Sequence, residues 1–414
     1  MSEIKAFQGI RPVPDKVAQI ASPPYDVLSS REAAEMARNN PISFLHVVKP
    51  EIDLGDDVDP YSDEVYAAGK ANLQKLIDDN LMVMDERACL YLYRQIMKIH
   101  GKDHVQIGLV AGVSVEEYEK GLIKKHEFTR VVKEADRTRH VETLNAQTGP
   151  VFLTYRSVAQ IDSLVDSCIV KAPVYNFVAA DGIRHTFWIV DEDEKIRALI
   201  EAFAQVPCLY IADGHHRSAS ACTVGRKRRE ANANHDGTEL YNHYLAVIFP
   251  HDQMMILDYN RLLFDLNGLS TDDFLSQVEE KFIVEKTEQK KPQTTHEFGM
   301  YFGDQWYRLT AKSGSFDEKD PVRSLDVAIL QDNLLAPILG IGDPRTDDRI
   351  DFVGGIRGPE ELERRVKAEG AVAFTVFPTP IEQLMAIADA GEVMPPKSTW
   401  FEPKLRSGMV VKPL

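Results

Sequence analysis

The sequence predicts a mixed α/β fold in two domains, and three observations support this prediction. The chain has 414 residues, more than a single hydrophobic core usually serves. Hydrophobic residues make up 44% of it and charged residues 27%, which is typical of globular proteins. Strand-like and helix-like patterns alternate up to about residue 255, where the pattern changes. We therefore place the domains at 1–255 and 256–414.

The first elements follow a proline-rich extended stretch. Ser29 or Ser30 is expected to cap a helix over "SSREAAEMARNN", because a serine hydroxyl can accept from a free helical N–H. The apolar run "SFLHVV", residues 43–48, predicts a short strand, and "PYSDEVYAAGKANLQKLIDDN" predicts an amphipathic helix.

The middle of the chain alternates strands and helices. Strands are predicted over "CLYLYRQIMKI", "VQIGLVAGVSV", "VFLTYRSV", "APVYNFVA" and "RHTFWIV". Ser114 and Glu117 have the spacing of a capping box that opens a short helix, and Gly121 is expected to close it. A helix over "EDEKIRALIEAFAQ" then leads to the most informative stretch of the sequence.

The C-terminal domain begins with a predicted strand and turn over "MMILDYNRLLFDL". "SLDVAILQDNLLAPILGI" and "PEELERRVKAE" predict helices, and "AVAFTVF" predicts a buried strand. Thr379 and Glu382 have capping-box spacing with Pro380 at the first helical position, and that helix should end at Gly391. The tail "MPPKSTWFEPKLRSGMVVKPL" is interpreted as structural.

Bulk properties exclude several classes of partner. The formal net charge of −16 repels phosphate backbones, which argues against nucleic acid, and Arg226–Arg229 is interpreted as the polar end of a helix. No apolar run approaches the ~18 residues of a membrane span. The N-terminus lacks a signal-peptide pattern, so a cytoplasmic location is expected. Four cysteines without a CxxC pair predict reduced thiols rather than a zinc site.

The stretch "LYIADGHHRSASAC", Leu209 to Cys222, predicts a buried strand, a tight turn at Gly214 and the start of a helix. Free N–H groups at a helix N-terminus attract anions, and His215, His216 and Arg217 add donors that suit phosphate. Asp213 is an anion beside an anion site, and a bound Mg²⁺ would resolve that conflict. The alternative is an ordinary helix start with Asp213 as its cap and surface histidines.

A second polar cluster is "KKHEFTRVVKEADRTRH". Its Glu127 is a carboxylate among cations, and beside bound phosphates it could take a proton from a substrate hydroxyl. The alternative is a solvated, salt-bridged loop and helix. The candidate substrate-binding side chains of this cluster are Thr129, Arg130, Lys133, Arg137 and His140.

The segment "ADGHHRSASA" resembles the nucleotide-binding box of the ParB/sulfiredoxin superfamily, in which a glycine turn opens a helix that holds phosphates. This resemblance implies a ParB/sulfiredoxin-like core at about residues 90–255 with added N-terminal and C-terminal α/β elements. A bacterial and archaeal family labelled as a domain of unknown function is similar over segments that span nearly the whole chain: "SPPYDVLSSREA", "NPISFLHVVKPEID", "KKHEFTR", "DRTRH", "ADGHHR" and "MPPKSTWFEPKLRSGMVVKPL".

The Asp-Gly-His-His-Arg box also resembles that of free L-serine kinases, which convert serine to O-phosphoserine with ATP or ADP. That resemblance implies Glu127 as the catalytic base, a catalytic or Mg²⁺-binding role for Asp213, and phosphate binding by Gly214, His215, His216 and Arg217. Sulfiredoxins need a cysteine where this chain has His215, and Cys222 lies two helical turns further on. The sulfur chemistry therefore lacks its nucleophile.

Three hypotheses remain open at this stage. The first is a small-metabolite kinase that acts on serine or a similar hydroxyl compound, with ATP or ADP and Mg²⁺. The second is a ParB-like regulatory module that binds or hydrolyses nucleotide without kinase activity, with homodimerisation as its output. The third is a scaffold with a vestigial site, in which the cluster around Glu127 forms only surface ion pairs.

Overall fold

The computed structural model describes residues 2–55, 57–99 and 101–414. The chain divides into two compact units, each of mixed α/β type: one runs up to Met254 and includes Pro403–Leu414, and the other is Met255–Glu402. The last part of the tail, Pro403–Leu414, therefore belongs to the first unit, although a boundary near residue 255 was expected to leave the whole tail in the C-terminal domain. Sequence order alone groups this segment with the residues that precede it. In the structure, Lys412 and Pro413 pair with Gln147 and Ala146 of the first unit.

The strands and helices of the first unit are β1 (Ile4–Lys5), β2 (Ile10–Pro12), α1 (Val17–Ile20), α2 (Ser30–Ala37), α3 (Leu45–Val48), α4 (Asp63–Asp78), β3 (Met82–Met84), β4 (Leu90–Ile99), β5 (Lys102–Ser114), α5 (Val115–Glu119), β6 (Ile123–Lys124), α6 (Val131–Leu144), β7 (Ala146–Gln147), β8 (Val151–Tyr155), α7 (Ala159–Ile169), β9 (Tyr175–Val178), β10 (Arg184–Val190), α8 (Asp193–Phe203), β11 (Leu209–Asp213), α9 (His215–Ala231) and β12 (His243–Pro250). The tail adds a further short strand, Lys412–Pro413.

A large mixed sheet organises this unit. Its strand order is β6-β11-β8-β12-β5-β4-β10-β9, and β1 pairs with β5 beside this path. β11 is parallel to β6 and antiparallel to β8. It therefore has a hydrogen-bonded strand on each side. Its residues Leu209 and Ile211 are fully buried in the main core. The strand that delivers the Asp-Gly-His-His-Arg box is thus held within the sheet.

Local capping signals explain the starts of two helices of the first unit. Ser29 caps α2 in a complete capping box with Glu32, and the hydroxyl of Ser114 accepts from the N–H of Glu117 at the start of α5. The strand prediction for residues 43–48 was wrong, because Leu45–Val48 form α3. A short apolar run fits a strand or a buried helical turn equally well, and this one is enclosed in a core cluster with α4.

The second unit contains β13 (Met255–Leu257), β14 (Tyr259–Leu263), α10 (Thr271–Lys281), β15 (Phe282–Lys286), β16 (Glu297–Phe302), β17 (Gln305–Ala311), α11 (Asp326–Leu330), β18 (Ile350–Gly354), α12 (Pro359–Ala368), β19 (Val372–Val376), α13 (Ile381–Asp389) and β20 (Trp400–Glu402). Its main sheet has the order β15-β17-β16-β19-β14-β18. The neighbours in this sheet are antiparallel.

Two helix predictions in this unit need correction. The predicted long helix from Ser324 is α11 followed by a π-helical segment, Gln331–Leu335. Pro380 is the N-cap of α13 rather than its first helical residue, and Thr379 donates to the carbonyl of Ser398 instead of capping the helix. None of the helices within residues 2–55, 57–99 and 101–414 combines the length and apolar character needed to cross a membrane.

Candidate functional site

The candidate site forms where β11 turns into α9. Gly214 makes this turn in the left-handed region, with φ of 93°, which glycine adopts without steric cost. Small buried residues follow, including Ser218, Ala219 and Ala221, so that α9 can pack closely into the unit. The turn leaves the first N–H groups of a 17-residue helix directed at the site, as anion-binding helix ends are.

Asp213 ends β11, and both of its carboxylate oxygens are engaged. Oδ1 accepts from the backbone N–H of Gly214 at 2.7 Å, and Oδ2 lies 3.0 Å from Nζ of Lys404. Burial acts to raise the pKa of Asp213, but the charges of Lys404 and Arg217 hold that pKa below its ordinary value. The Mg²⁺ ion expected at Asp213 does not fit these residues, because an ammonium group already faces the carboxylate. We therefore assign no step to that ion.

Lys404 comes from the C-terminal tail and is held in place by buried polar groups. Its carbonyl accepts from Nε2 of Gln95 at 2.9 Å, and Gln95 in turn accepts from Gln106. Two residues further along the tail, Arg406 donates to Nε2 of His185 at 3.3 Å. Because these contacts fix the backbone at Lys404 and the side chain two residues beyond it, the ammonium group of Lys404 is positioned at the site.

The two adjacent histidines of the box make different contacts. Nε2 of His216 accepts from the backbone N–H of Arg130 at 2.9 Å, and Arg130 is the N-cap of α6. This bond joins the N-termini of α6 and α9. His215 instead packs its ring edge-to-face on His126, with centroids 4.5 Å apart. His216 was expected to contact phosphate through its side chain, but its Nε2 holds the start of α6.

Glu127 lies beside the box, although many elements separate it from Asp213 in sequence. Its Oε2 is 3.8 Å from Nδ1 of His215, and its side chain keeps 46% of its exposure. The ligand atoms of His126, Glu127 and His215 all lie within 4.8 Å of one another. Burial lowers the pKa of His126 to about 4 and holds that of His215 well below its ordinary value. Both imidazoles are therefore neutral near pH 7.

Arg217 connects the box to a cavity in the first unit. Its guanidinium donates to the carbonyl of Pro150, lies 3.5 Å from Oδ2 of Asp26, and packs so closely on Gly214 that a Cβ atom there would be 3.1 Å from Cζ. Nε of Arg217 is buried without a hydrogen-bond partner among the described residues.

The cavity is open to solvent, and its space not occupied by atoms is about 500 Å³ including that open part. Two guanidinium groups, those of Arg137 and Arg217, line it together with the amide of Gln147 and apolar side chains such as Val151 and Leu245. Although burial acts to lower the pKa of Arg217, the neighbouring carboxylates of Asp26 and Asp213 raise it. The cavity therefore places charged guanidinium groups, each with a neighbouring carboxylate, next to an apolar wall.

The predicted substrate-binding residues separate into two groups. Thr129, Arg130 and Lys133 lie at the exposed start of α6 beside Glu127, where Thr129 donates to Glu134 and Lys133 donates to the hydroxyl of Tyr61. Arg137 is half-buried, His140 is buried, and both line the cavity.

Arg137 and His140 each have partners within the chain, unlike side chains that are free to bind a ligand. Arg137 pairs with Asp136 and lies 4.1 Å over the ring of Tyr25. His140 Nε2 bonds the carbonyl of Val47 at 3.0 Å, and burial lowers its pKa to about 3. His140 is therefore a neutral residue that ties α6 to α3 rather than a cationic ligand.

Sequence reasoning missed three residues that the fold brings to the site: Lys404, Asp26 and, as a separate participant, His126. A signal for each was present. Lys404 and Asp26 fall in "WFEPKLRSG" and "SPPYDVLSS", segments that support the family resemblance, and His126 directly precedes Glu127. Their distance from the box along the chain hid their proximity to it.

Comparison with known proteins gives one family and several distant structures. Residues 4–328 match the family described as "Protein of unknown function (DUF1015)", and no curated protein matches the chain. A free serine kinase in complex with AMP is 14% identical with a TM-score of 0.35, over 70% of this chain and 86% of that one. A mutant free serine kinase in complex with ADP is 13% identical with a TM-score of 0.34, over 70% and 87%. Truncated SbnI from Staphylococcus aureus is 12% identical with a TM-score of 0.36, over 72% and 85%.

Proposed function

The chain belongs to the DUF1015 family, and we propose that it is a nucleotide-dependent kinase of small hydroxyl metabolites, of the type that converts free L-serine to O-phospho-L-serine. One observation carries the proposal: the Glu127 carboxylate lies 3.8 Å from His215 at the start of α9. A partly exposed carboxylate thus stands next to an anion-binding helix end, which is the arrangement that deprotonation beside a bound phosphate requires.

Two helix ends and two cations favour phosphate at this place. The bond from Arg130 to His216 brings the N-termini of α6 and α9 together, and each contributes a partial positive charge and free N–H groups. Arg217 and Lys404 each add a full positive charge close to Asp213. Phosphoryl transfer depends mainly on positioning and on charge neutralisation, and these groups supply both.

The cavity is the proposed position of the nucleotide. The guanidinium of Arg217 lines the cavity, and its buried Nε has no hydrogen-bond partner among the described residues, so it suits phosphate oxygens. The apolar wall of the cavity suits the faces of a base or ribose. Arg217 lines the cavity and also packs on Gly214, so a nucleotide bound there would direct its terminal phosphate towards the box. We propose ATP or ADP as the donor.

In the proposed reaction, Glu127 accepts the proton of the serine hydroxyl while that oxygen attacks the terminal phosphorus of the nucleotide. The new P–O bond forms as the bond to the leaving phosphate oxygen breaks, so ATP yields ADP and ADP yields AMP. Thr129, Arg130 and Lys133 would bind the charged groups of the amino acid at the start of α6. Asp213 would orient Lys404 and Arg217 rather than react itself.

The sequence resemblance of the box to free L-serine kinases supports the choice of serine. A ParB/sulfiredoxin-like core at residues 90–255 is part of the same proposal. A regulatory module that only binds or hydrolyses nucleotide remains the competing function.

The test is to incubate the full chain with L-serine, Mg²⁺ and ATP or ADP and to follow O-phosphoserine by mass spectrometry. The proposal predicts O-phosphoserine in an amount equal to the nucleotide consumed, and none with Glu127→Gln. D-serine and L-alanine serve as matched substrates that lack either the configuration or the hydroxyl. Nucleotide turnover without phosphoserine would favour the regulatory module, and the absence of nucleotide binding would exclude both functions.

A further inference from the structure

His126, Glu127 and His215 form a compact group of metal-ligating side chains. Two lie in the loop between β6 and α6, the third is the first residue of α9, and their ligand atoms all lie within 4.8 Å of one another. Adjacent histidines of one turn rarely face the same ion. The fold supplies a different pair, since His216 bonds Arg130 while His215 packs against His126.

His126 has the environment of a prepared ligand. The ring is 2% exposed, and Nδ1 has no hydrogen-bond partner among the described residues. The other nitrogen bonds the backbone carbonyl of Ile211, which fixes the proton on Nε2 and leaves a lone pair on Nδ1. Metal-binding histidines commonly donate their second N–H to a carbonyl in this way. A buried acceptor without a partner is unfavourable, and a cation at Nδ1 would satisfy it.

His215 and Glu127 complete the set. His215 is 5% exposed, and its Nδ1 faces Oε2 of Glu127 at 3.8 Å. Glu127 is the member of the group that faces solvent, because its side chain is 46% exposed. Asp213 does not join the group, since its two oxygens bind Gly214 and Lys404.

We propose that His126, Glu127 and His215 bind a divalent transition-metal ion of the Zn²⁺ or Co²⁺ class, with a fourth position open to solvent. Two imidazoles and one carboxylate with an open position make a ligand set for such ions, whereas Mg²⁺ prefers oxygen ligands. The ion would draw the three ligand atoms together by a small movement of the exposed Glu127 side chain.

One consequence rests on the proposed function. A bound ion and a substrate proton require the same Glu127 carboxylate, so the ion and the base role exclude each other. Zn²⁺ would therefore inhibit the proposed kinase in competition with productive substrate binding. The site itself does not depend on that function, because its occupancy can be measured without any activity.

The test titrates Co²⁺ and Zn²⁺ into chelator-treated full-length protein, followed by the visible absorption of cobalt and by calorimetry. The proposal predicts one tight site per chain with a tetrahedral cobalt spectrum. His126→Asn and Glu127→Gln should each lower the affinity of that site for the metal by at least tenfold. Glu127 is exposed, so Glu127→Gln should fold normally and keeps the test decisive if His126→Asn misfolds. The control is His235→Asn, which alters a half-buried histidine beyond the C-terminus of α9 that pairs with Glu239 and should keep the site.

Equal affinity and stoichiometry in wild type, Glu127→Gln and His126→Asn would overturn the metal site. The two proposals fail separately. If Zn²⁺ binds as expected but stimulates phosphoserine formation, the metal site stands and the base role of Glu127 is wrong. If no phosphoserine forms under any condition, the kinase proposal fails while the titration still decides the metal site.

Discussion

Replacement of Lys404 by methionine tests whether the C-terminal tail completes the site. Lys404 lies 3.0 Å from Asp213, and their side chains keep 18% and 27% of their exposure. Removal of one partner from a fully buried pair costs about 3–5 kcal/mol, and an exposed pair is worth about 0–1 kcal/mol. For this half-buried pair we expect a loss of about 1–3 kcal/mol in the free energy of unfolding.

The assay is urea denaturation of the full chain, combined with nucleotide affinity measured by calorimetry. The second variant, Lys404→Met with Asp213→Asn, should recover part of the lost stability, because a neutral amide needs no counter-ion. Lys120→Met is the matched control: its pair with Glu116 is exposed on α5, and no measurable loss is expected. If Lys404→Met proved as stable as Lys120→Met and bound nucleotide equally well, the tail would have no part in the site.

Three further predictions concern the box, the cavity and the second unit. Gly214→Ala should cost about 1–2 kcal/mol of stability for its left-handed backbone. It should also weaken nucleotide binding measured by calorimetry, because its Cβ would press on the guanidinium of Arg217 and shift it. Gly121→Ala, also left-handed but in open space, should lose stability and keep the nucleotide affinity. Arg217→Ala should weaken ADP binding about 10- to 100-fold, and an unchanged Kd would remove it from the phosphate site. Burial raises the pKa of Asp326 to about 7, so its contribution to stability is complete below about pH 4 and is lost as the pH rises to about 7. Asp326→Asn should flatten that decline in a series of thermal unfolding measurements. An unaltered pH profile would show that Asp326 is not the group whose ionisation causes the decline.

Local chemistry made the core of the site predictable. The apolar run, the Asp-Gly step and the small residues after it predict β11, the turn and α9, because each depends on residues within a few positions. Gly214 does adopt a left-handed conformation. Ser29 and Ser114 cap the helices expected of them for the same reason.

The parts of the site that depend on distant contacts were not predictable. Lys404 reaches Asp213 only because the tail returns to the first unit, and no local pattern encodes that return. The apolar run at residues 43–48 became α3 because burial within a core cluster outweighed its strand propensity. The different contacts of His215 and His216 follow from the positions of His126 and Arg130, which the box sequence does not contain.

The most direct test of the central claim compares kcat and nucleotide affinity for wild type and Glu127→Gln with serine as acceptor. Glutamine keeps the size of Glu127 but cannot accept the proton, so kcat should fall about 10²–10⁴-fold while the Kd for nucleotide stays within about twofold. An unchanged kcat would contradict the role of Glu127 as the base. If the affinity for nucleotide fell by the same factor as kcat, Glu127 would contribute to nucleotide binding rather than act as the base.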